Sequence, residues 1–400
     1  MPSIFTCDEL LGRIRRLQDQ MRKQSIDGAL ILQRVDMIYY TGVVFPGAVA
    51  IPATGDPRIF AWRRLHLFDD TSVAQPEIVK GMGHLFAVLG GDTGIAGWKH
   101  VGLEEDVLPV ATYKALERKV WPDSDLVDIS ATVRTQRIVK SPAELDIIRR
   151  SGKVLAAGFE SLREFIREGV HEYDAQARMD LVMRQHGDQI SGRTRGFNAE
   201  AGGVVAAGVS AAVDNAFDGP IGQPGRNPLV PKGAGGKVIE RGEPVICDHT
   251  AGVDGYMTDM TRTYCVGPVS ELDPKFVDAH NFCVDLHKRL LDKTRAGAVP
   301  SELYAWSLEQ ANDAGYADNF MNMGRNRVRF IGHGVGMELD EWPVIAKGFD
   351  QPLEAGTVLA IEPKIIFPEG GVGVEDTVIV HNDQPAEVVT PMEYEIQPTG

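Results

Sequence analysis

The sequence predicts an α+β protein made of two domains. The chain has 400 residues, which is too long for one ordinary hydrophobic core. Hydrophobic residues make up 43% of the sequence, which is ample for two cores. Up to about residue 135, short strand-like and helix-like segments are mixed, as in a small α/β domain. The later residues read as long helices with separate strands, which is typical of the α+β class. We expect one domain over residues 1–138 and a second over residues 139–400.

The first domain begins with an amphipathic helix. Thr6 and Glu9 have the spacing of a capping box, and apolar residues follow at helical intervals: Leu10, Ile14, Leu17 and Met21. Residues 28–32 read as a buried strand. Residues 48–51 and 58–62 flank a Thr-Gly-Asp-Pro turn, which predicts a hairpin.

The second domain begins at a strong helix start. Ser141 is suited to the N-cap, Pro142 to the first helical position and Glu144 to the third, which predicts a helix over residues 142–168. Further helices are expected over residues 172–185, 274–293 and 300–314. The loop over residues 219–236 is rich in Gly and Pro; it either lines the entrance to a site or is a plain surface connection.

The composition argues against some classes of binding partner and favours one cellular location. The formal net charge is −15, which argues against nucleic acid or an anionic membrane surface as partner. No apolar stretch approaches the roughly 20 residues of a membrane span. The four cysteines lack CxxC spacing and the N-terminus has no signal-like region, so we expect a reducing cytoplasm.

Five residues form a candidate metal site. Each alone has an ordinary structural explanation, but two aspartates eleven positions apart, then a histidine between glycines, then two glutamates on apolar segments rarely occur together. Four carboxylates and one imidazole in one pocket would repel strongly, and two divalent cations would neutralise them. This donor set favours Mn, Co, Fe or Zn. The candidate ligands are Asp248, Asp259, His333, Glu362 and Glu375.

These motifs resemble the pita-bread metallopeptidase superfamily, the group of creatinase, prolidase and aminopeptidase P. The resemblance covers the whole chain and includes Gly-His333-Gly, Ile-Glu362-Pro and the order Asp, Asp, His, Glu, Glu. It implies a C-terminal pita-bread domain behind a smaller creatinase-like N-terminal domain, two divalent ions, and a homodimer. It further implies that Asp248 chelates one ion, that Asp259 and Glu375 bridge both, and that His333 and Glu362 complete the other.

The resemblance also implies a chemistry. In such hydrolases the ions activate a water molecule held between them and polarise the scissile carbonyl. Glu362 would accept the proton from this water and pass it to the leaving nitrogen. His333, Glu362 and Asp340 are the candidate catalytic residues.

Three positions depart from the family pattern. Asp340 stands where the peptidases have a histidine that stabilises the tetrahedral intermediate, Asn215 stands in place of a second histidine, and Gly373 replaces a common arginine. An ionised aspartate repels developing negative charge. Asp340 and Asp214 could instead bind a cationic group, with Asn215 beside them as a further candidate substrate contact, or Asp340 could act as a base or simply cap a turn.

Three functions from different classes follow. The first is a dinuclear peptidase that cleaves short peptides of the Xaa-Pro type. The second is a metal-dependent hydrolase or lyase acting on a small, non-peptide and cationic metabolite, like DMSP lyase relatives of this fold. The third is a non-catalytic binding module, which the full ligand set argues against because clustered carboxylates without cations are destabilising.

Overall fold

The computed structural model describes residues 5–63, 66, 68, 73–189, 192–196 and 200–400. The chain divides into two compact units, Met1–Arg137 and Ile138–Gly400. The sequence-based boundary lies one residue further along. Each unit contains both helices and strands, and the mixed α+β class expected from the sequence is confirmed.

The first unit is built on a six-stranded sheet with the order β4-β3-β2-β1-β5-β6. The predicted hairpin is present, because β2 and β3 pair antiparallel with Ala50 opposite Arg58. Strand β1 pairs parallel with β5. The strands are β1 (Gly28–Ile31), β2 (Gly47–Pro52), β3 (Arg58–Ala61), β4 (Pro76–Ile78), β5 (His100–Leu103) and β6 (Asp125–Asp128).

Helices pack around this sheet. The first helix starts where its cap predicts, with the Thr6 side chain accepting a hydrogen bond from the Glu9 amide. Glu9 itself pairs with Arg13 at 2.7 Å. The helices are α1 (Cys7–Lys23), α2 (Arg34–Thr41), α3 (Met82–Gly91), α4 (Thr93–Ala96), α5 (Val110–Lys119) and α6 (Ser130–Gln136).

The second unit is built on a nine-stranded sheet. Its main path runs β13-β12-β14-β17-β11-β10-β9, with β18 on β17 and β19 on β11. The strands on this path are β9 (Val204–Ala207), β10 (Pro244–Val253), β11 (Tyr256–Val266), β12 (Phe330–Gly334), β13 (Glu341–Ala346), β14 (Val358–Ile361) and β17 (Glu375–Ile379). The remaining strands are β7 (Gly192–Arg193), β8 (Glu200–Ala201), β15 (Lys364–Phe367), β16 (Gly370–Gly373), β18 (Glu387–Val388) and β19 (Gln397–Thr399).

Four helices of this unit begin and end close to their predicted limits. The capping box at Ser141 is complete, since Ser141 and Glu144 each bond the other's backbone amide. The first of the four ends three residues earlier than predicted. They are α7 (Pro142–Phe165), α8 (Glu172–Gln185), α9 (Pro274–Lys293) and α10 (Pro300–Asp313).

The hairpin of β10 and β11 is closed by a tight turn. Val253 is paired with Tyr256, so the turn consists of Asp254 and Gly255, with φ of 50° and 90°. Positive φ at both turn positions matches the right-handed twist of the strands, and Asp-Gly is a preferred sequence for it. This turn fixes the register of the two strands that carry Asp248 and Asp259.

Among the helices that the structure describes, none has the length and apolar character to cross a membrane.

Candidate metal centre

Asp248 and Asp259 lie on the two strands of one hairpin, β10 and β11. In its register Asp248 is opposite Thr261, and Asp259 is opposite Thr250. Residues directly opposite each other in an antiparallel pair share a face of the sheet, as do residues two apart on one strand. Both aspartates therefore point to the same face, and each is 5% exposed.

Glu375 joins this face from the neighbouring strand β17. It is paired with Thr261 of β11, whose hydroxyl donates to Glu375 Oε2 at 2.7 Å. The buried Arg262 guanidinium donates to the Glu375 carbonyl and contacts Asp376 Oδ1, both at 2.8 Å. This ion pair holds the start of β17 against β11 and thereby fixes the position of Glu375.

His333 and Glu362 complete the group from β12 and from the end of β14. The Glu362 amide donates to the Ile331 carbonyl at 3.0 Å, which sets Glu362 beside β12. His333 Nε2 lies 3.6 Å from Glu362 Oε1 and 3.9 Å from Asp259 Oδ2. The structure thus brings together the five residues singled out as ligands.

The His333 ring is held in one orientation. Its Nδ1 lies 3.0 Å from the Leu339 carbonyl and 3.2 Å from the Gly334 carbonyl, and carbonyl oxygens only accept, so Nδ1 carries the hydrogen. In the neutral ring Nε2 then has the lone pair that an ion needs. Burial disfavours the charged ring, but nearby carboxylates, chiefly Asp340, outweigh it and raise the pKa of His333.

Three of the five candidate ligands are arranged so that they could hold a divalent ion. Asp259, His333 and Glu375 offer ligand atoms that all lie within 4.8 Å of one another. Asp259 Oδ1 and Glu375 Oε1 are buried without a hydrogen-bond partner, and a buried carboxylate oxygen without a partner is costly. Coordination of a cation would satisfy both oxygens and the His333 Nε2 lone pair.

Two lysines that the sequence interpretation missed also lie in this group. Lys364 Nζ is 2.6 Å from Glu362 Oε2, 2.7 Å from Glu375 Oε2 and 3.6 Å from Asp248 Oδ2. Lys232 Nζ is 3.0 Å from Asp248 Oδ2. Lys364 lies two residues after Glu362, but the break between β14 and β15 falls at Glu362 and Pro363, so strand alternation does not link them. Lys232 is in the irregular 219–236 loop and carries no local signal either.

The lysines divide the carboxylates into two kinds. Burial alone would raise the pKa of Asp248, but Lys232 and Lys364 outweigh it and lower that pKa to about 2. For Asp259, burial and the neighbouring Glu375 and Asp248 raise the pKa well above its ordinary value. Burial likewise raises the pKa of Glu375 to about 7, against the effect of Lys364. Asp259 is therefore the carboxylate that most needs a further cation.

The backbone around Asp259 is fixed by Thr377 of β17. The Thr377 hydroxyl accepts from the Asp259 amide at 2.7 Å and donates to the Asp259 carbonyl at 2.9 Å. A ligand held on a rigid strand keeps its geometry without an ordering cost when an ion binds.

A cleft opens above the ligands. Its lining includes apolar side chains of Phe217, Phe330 and Leu339, together with Asp340. The Asp340 side chain is 47% exposed, and its Oδ1 lies 3.6 Å from His333 Nδ1. Residues Gly219, Pro220 and Lys232 of the 219–236 loop also line the cleft, so part of this loop lies at the site.

Asp214 and Asn215, suggested as substrate contacts, make hydrogen bonds within the protein in this structure. Neither is among the described residues that line the cleft. Asp214 is exposed and accepts a hydrogen bond from Asn326. Asn215 stabilises its own loop, because its Oδ1 accepts from the Phe217 amide at 2.9 Å and its Nδ2 donates to the Ile221 carbonyl at 3.1 Å. The same loop presents Phe217 to the cleft, and the suggested role of Asp214 and Asn215 as substrate contacts stays a prediction.

The fold and the site define a metallopeptidase-type hydrolase with a creatinase-like N-terminal domain and a pita-bread C-terminal domain. Residues 146–382 match the model of metallopeptidase family M24, and residues 13–139 match the creatinase/prolidase N-terminal domain. The chain belongs to metallopeptidase family M24, a family that implies divalent metal cofactors.

Relatives and solved structures extend over nearly the whole chain. An Xaa-Pro dipeptidase of Pyrococcus furiosus is 26% identical over 389 residues, covering 96% of this chain and 99% of that protein. The structure of an Xaa-Pro dipeptidase from Bacillus anthracis superposes with a TM-score of 0.82 at 25% identity, covering 97% and 99% of the two chains. The prolidase of Pyrococcus horikoshii OT3 gives a TM-score of 0.79 at 25% identity, covering 96% and 99%.

Proposed function

We propose that this protein is a metal-dependent peptidase that hydrolyses short peptides at Xaa-Pro bonds. The observation that supports it most is the placement of Asp259, His333 and Glu375, whose ligand atoms lie within 4.8 Å of one another at the base of a cleft. The similar proteins reported above are named as dipeptidases and prolidases. This favours peptide hydrolysis over the non-peptide chemistry and the binding module.

The chain's own residues have distinct parts in this reaction. A bound divalent ion would supply Lewis-acid activation of water and of the peptide carbonyl. Glu362 has one oxygen, Oε2, engaged by Lys364 at 2.6 Å, and its Oε1 faces His333. We therefore assign to Glu362 Oε1 the transfer of a proton from water to the leaving nitrogen.

Asp340 is suited to bind the amino terminus of the peptide. It is half-exposed in the cleft, and a carboxylate attracts an ammonium group but cannot donate a hydrogen bond to an oxyanion. The apolar side chains of Phe217, Phe330 and Leu339 give the same cleft a surface on which a proline ring can pack. Asp340 thus acts on substrate position in this proposal.

The test is turnover of Xaa-Pro and Xaa-Ala dipeptides by metal-stripped protein reloaded separately with Mn²⁺, Co²⁺, Zn²⁺ or Fe²⁺. We expect one ion to restore turnover, with Xaa-Pro preferred. Asp340→Asn should raise KM about tenfold, equivalent to about 1.4 kcal/mol, with kcat unchanged. Ion uptake without turnover of any peptide would contradict the proposal and favour the small cationic metabolite.

The finer expectations from the sequence stay predictions. They are a cytoplasmic location and a homodimer. Light scattering behind size-exclusion chromatography measures the mass of the assembly and tests the dimer directly.

A further inference from the structure

The ammonium group of Lys364 lies among three carboxylates, where a metal ion could otherwise bind. Its side chain is 0% exposed, and its Nζ is within 2.7 Å of oxygens of two glutamates and 3.6 Å from Asp248. These three carboxylates come from separate strands or strand ends of the second unit. An ammonium group surrounded in this way balances charge and donates hydrogen bonds, as a metal ion would balance charge and accept lone pairs.

Gly373 makes room for this lysine. Lys364 and Gly373 are directly opposite in the β15–β16 hairpin. A Cβ at position 373 would lie 2.6 Å from Lys364 Cγ and 2.8 Å from the Pro363 carbonyl, closer than side-chain atoms pack. An arginine at position 373, which the family pattern led us to expect, would collide with the Lys364 stem, so Gly373 and Lys364 belong together.

The charges of the centre match one divalent ion. The four carboxylates among the five predicted ligands carry four negative charges when ionised, and the ammonium groups of Lys364 and Lys232, both buried among them, supply two positive charges. Two negative charges remain, which a single divalent cation neutralises. Two divalent cations would leave an excess of two positive charges among these buried groups, which only the half-exposed Asp340 and a deprotonated water could offset.

The ligand atoms that the lysines leave without a partner belong to one group of residues. The two oxygens of Glu375 differ. Its Oε2 accepts hydrogen bonds from Lys364 and Thr261, while its Oε1 has no partner. Asp259 Oδ1 likewise has no partner, and His333 Nε2 lies nearby. The atoms that still need a cation are therefore those of Asp259, His333 and Glu375.

We infer that the Lys364 ammonium group replaces one of the two divalent ions expected from the family resemblance, so that each chain binds a single ion at Asp259, His333 and Glu375. The inference rests on the metal dependence proposed above. It makes this centre a mixed one, with a divalent ion at one end and a lysine at the other.

The experiment counts ions and does not depend on activity. Metal-stripped full-length protein is titrated with Co²⁺, and bound ions per chain are measured by native mass spectrometry and by elemental analysis after desalting. Electron paramagnetic resonance at saturation distinguishes an isolated Co²⁺ from a coupled pair. The variant is Lys364→Ala, and the matched control is Lys347→Ala, because Lys347 is an exposed lysine of the same unit.

We expect one Co²⁺ per chain with an isolated signal in the wild type and in Lys347→Ala, and two per chain in Lys364→Ala. Two ions in the wild type would overturn the inference while leaving the peptidase proposal intact. One ion per chain without peptide turnover would support this inference and contradict the peptidase proposal. An unchanged count of one in a folded Lys364→Ala protein would also overturn it, and if that variant does not fold, the wild-type count alone decides.

Discussion

Asp259 is the residue at which metal binding and stability are most directly linked. Its carboxylate is buried beside Glu375 and Asp248, which together with burial raise its pKa, and its Oδ1 has no partner. For a carboxyl group whose folded pKa is raised, ionisation at neutral pH opposes folding. An ion reverses this, because it binds the folded chain and stabilises it.

Asp259→Asn should therefore raise the stability of the metal-free protein and remove the stabilisation that a bound ion gives. Without metal the variant should melt at a higher temperature than the wild type, since a buried charge has been removed. With an ion at one hundred times its Kd, the wild type should gain about 2.7 kcal/mol that the variant lacks. Thermal melts with and without Mn²⁺ measure this, with Asp383→Asn, at an exposed aspartate, as control; equal metal gains in all three proteins would contradict it.

His280 gives a pH dependence that is separate from the metal centre's ligands. Burial, with the nearby Arg262 adding to it, lowers the pKa of His280 from 6.5 to about 4. Its Nε2 lies 2.7 Å from the Tyr394 carbonyl, and its Nδ1 has no partner. A folded pKa below the unfolded value means that the stabilising contribution is complete above pH 6.5 and is lost as pH falls toward 4.

The expected loss between pH 7 and pH 5 is about 2 kcal/mol of unfolding free energy from this residue. His280→Gln keeps a donor for the Tyr394 carbonyl but does not titrate. Urea unfolding of both proteins at the two pH values isolates the contribution, because all other groups are common to both. The same pH dependence in wild type and variant would show that His280 is charged or exposed in the folded protein.

At the scale of the element, helix packing decides the effect of glycine substitutions. Gly152 lies inside helix α7, where alanine is favoured by about 1 kcal/mol on propensity alone. A Cβ there would lie 1.9 Å from the Val389 carbonyl oxygen, a backbone atom that cannot move aside cheaply. Gly12 of α1 has only Arg16 Nη1 near its Cβ position, at 3.9 Å.

We expect Gly152→Ala to lower the free energy of unfolding by about 1–3 kcal/mol, the usual range for overpacking. Gly12→Ala should raise it by up to about 1 kcal/mol. Chemical denaturation monitored by circular dichroism measures both. If both variants are stabilised alike, helix α7 does not approach the chain at Val389 as closely as the structure has it.

The elements that the sequence predicted well are those whose limits are set locally. The helix starting after Ser141 is announced by a capping box within four residues, and the β2–β3 hairpin by its turn. Strand partners such as Thr261 and Glu375 are 114 positions apart, and no local pattern selects them. The candidate ligand residues were chosen by motif, whereas the sheet order that brings them together was not predicted.

The same distinction explains the site residues that were missed. Lys364 begins β15 after a break at Glu362 and Pro363, so strand alternation does not extend to it from Glu362. Lys232 and Phe217 reach the cleft from an irregular loop, whose path depends on packing against the whole unit. Asp214 and Asn215 were chosen by position in a motif, and the loop turns them to Asn326 and to its own backbone.

At the scale of the whole molecule, each unit has its own buried core. In the first unit, Leu30, Phe60 and Trp121 belong to one apolar cluster. In the second, Ile361 and Val378 belong to one apolar cluster and Cys247 and Met260 to another. The residues proposed to hold the ion lie only in the second unit, on β11, β12 and β17, so an ion stabilises contacts of that unit directly.

This leads to a prediction for hydrogen exchange in the intact protein. With Mn²⁺ at one hundred times its Kd, opening reactions that release the ion should become about one hundred times rarer, equivalent to about 2.7 kcal/mol. Amide exchange in β10, β11, β12 and β17 should slow accordingly, while β1, β2 and β5 of the first unit should exchange as before. Exchange mass spectrometry of metal-stripped and reloaded protein measures both sets, and Asp259→Asn should show no Mn²⁺ effect in either. Equal slowing in the two units would mean that ion release requires the whole chain to unfold together, and slowing in neither would place the ion outside this sheet.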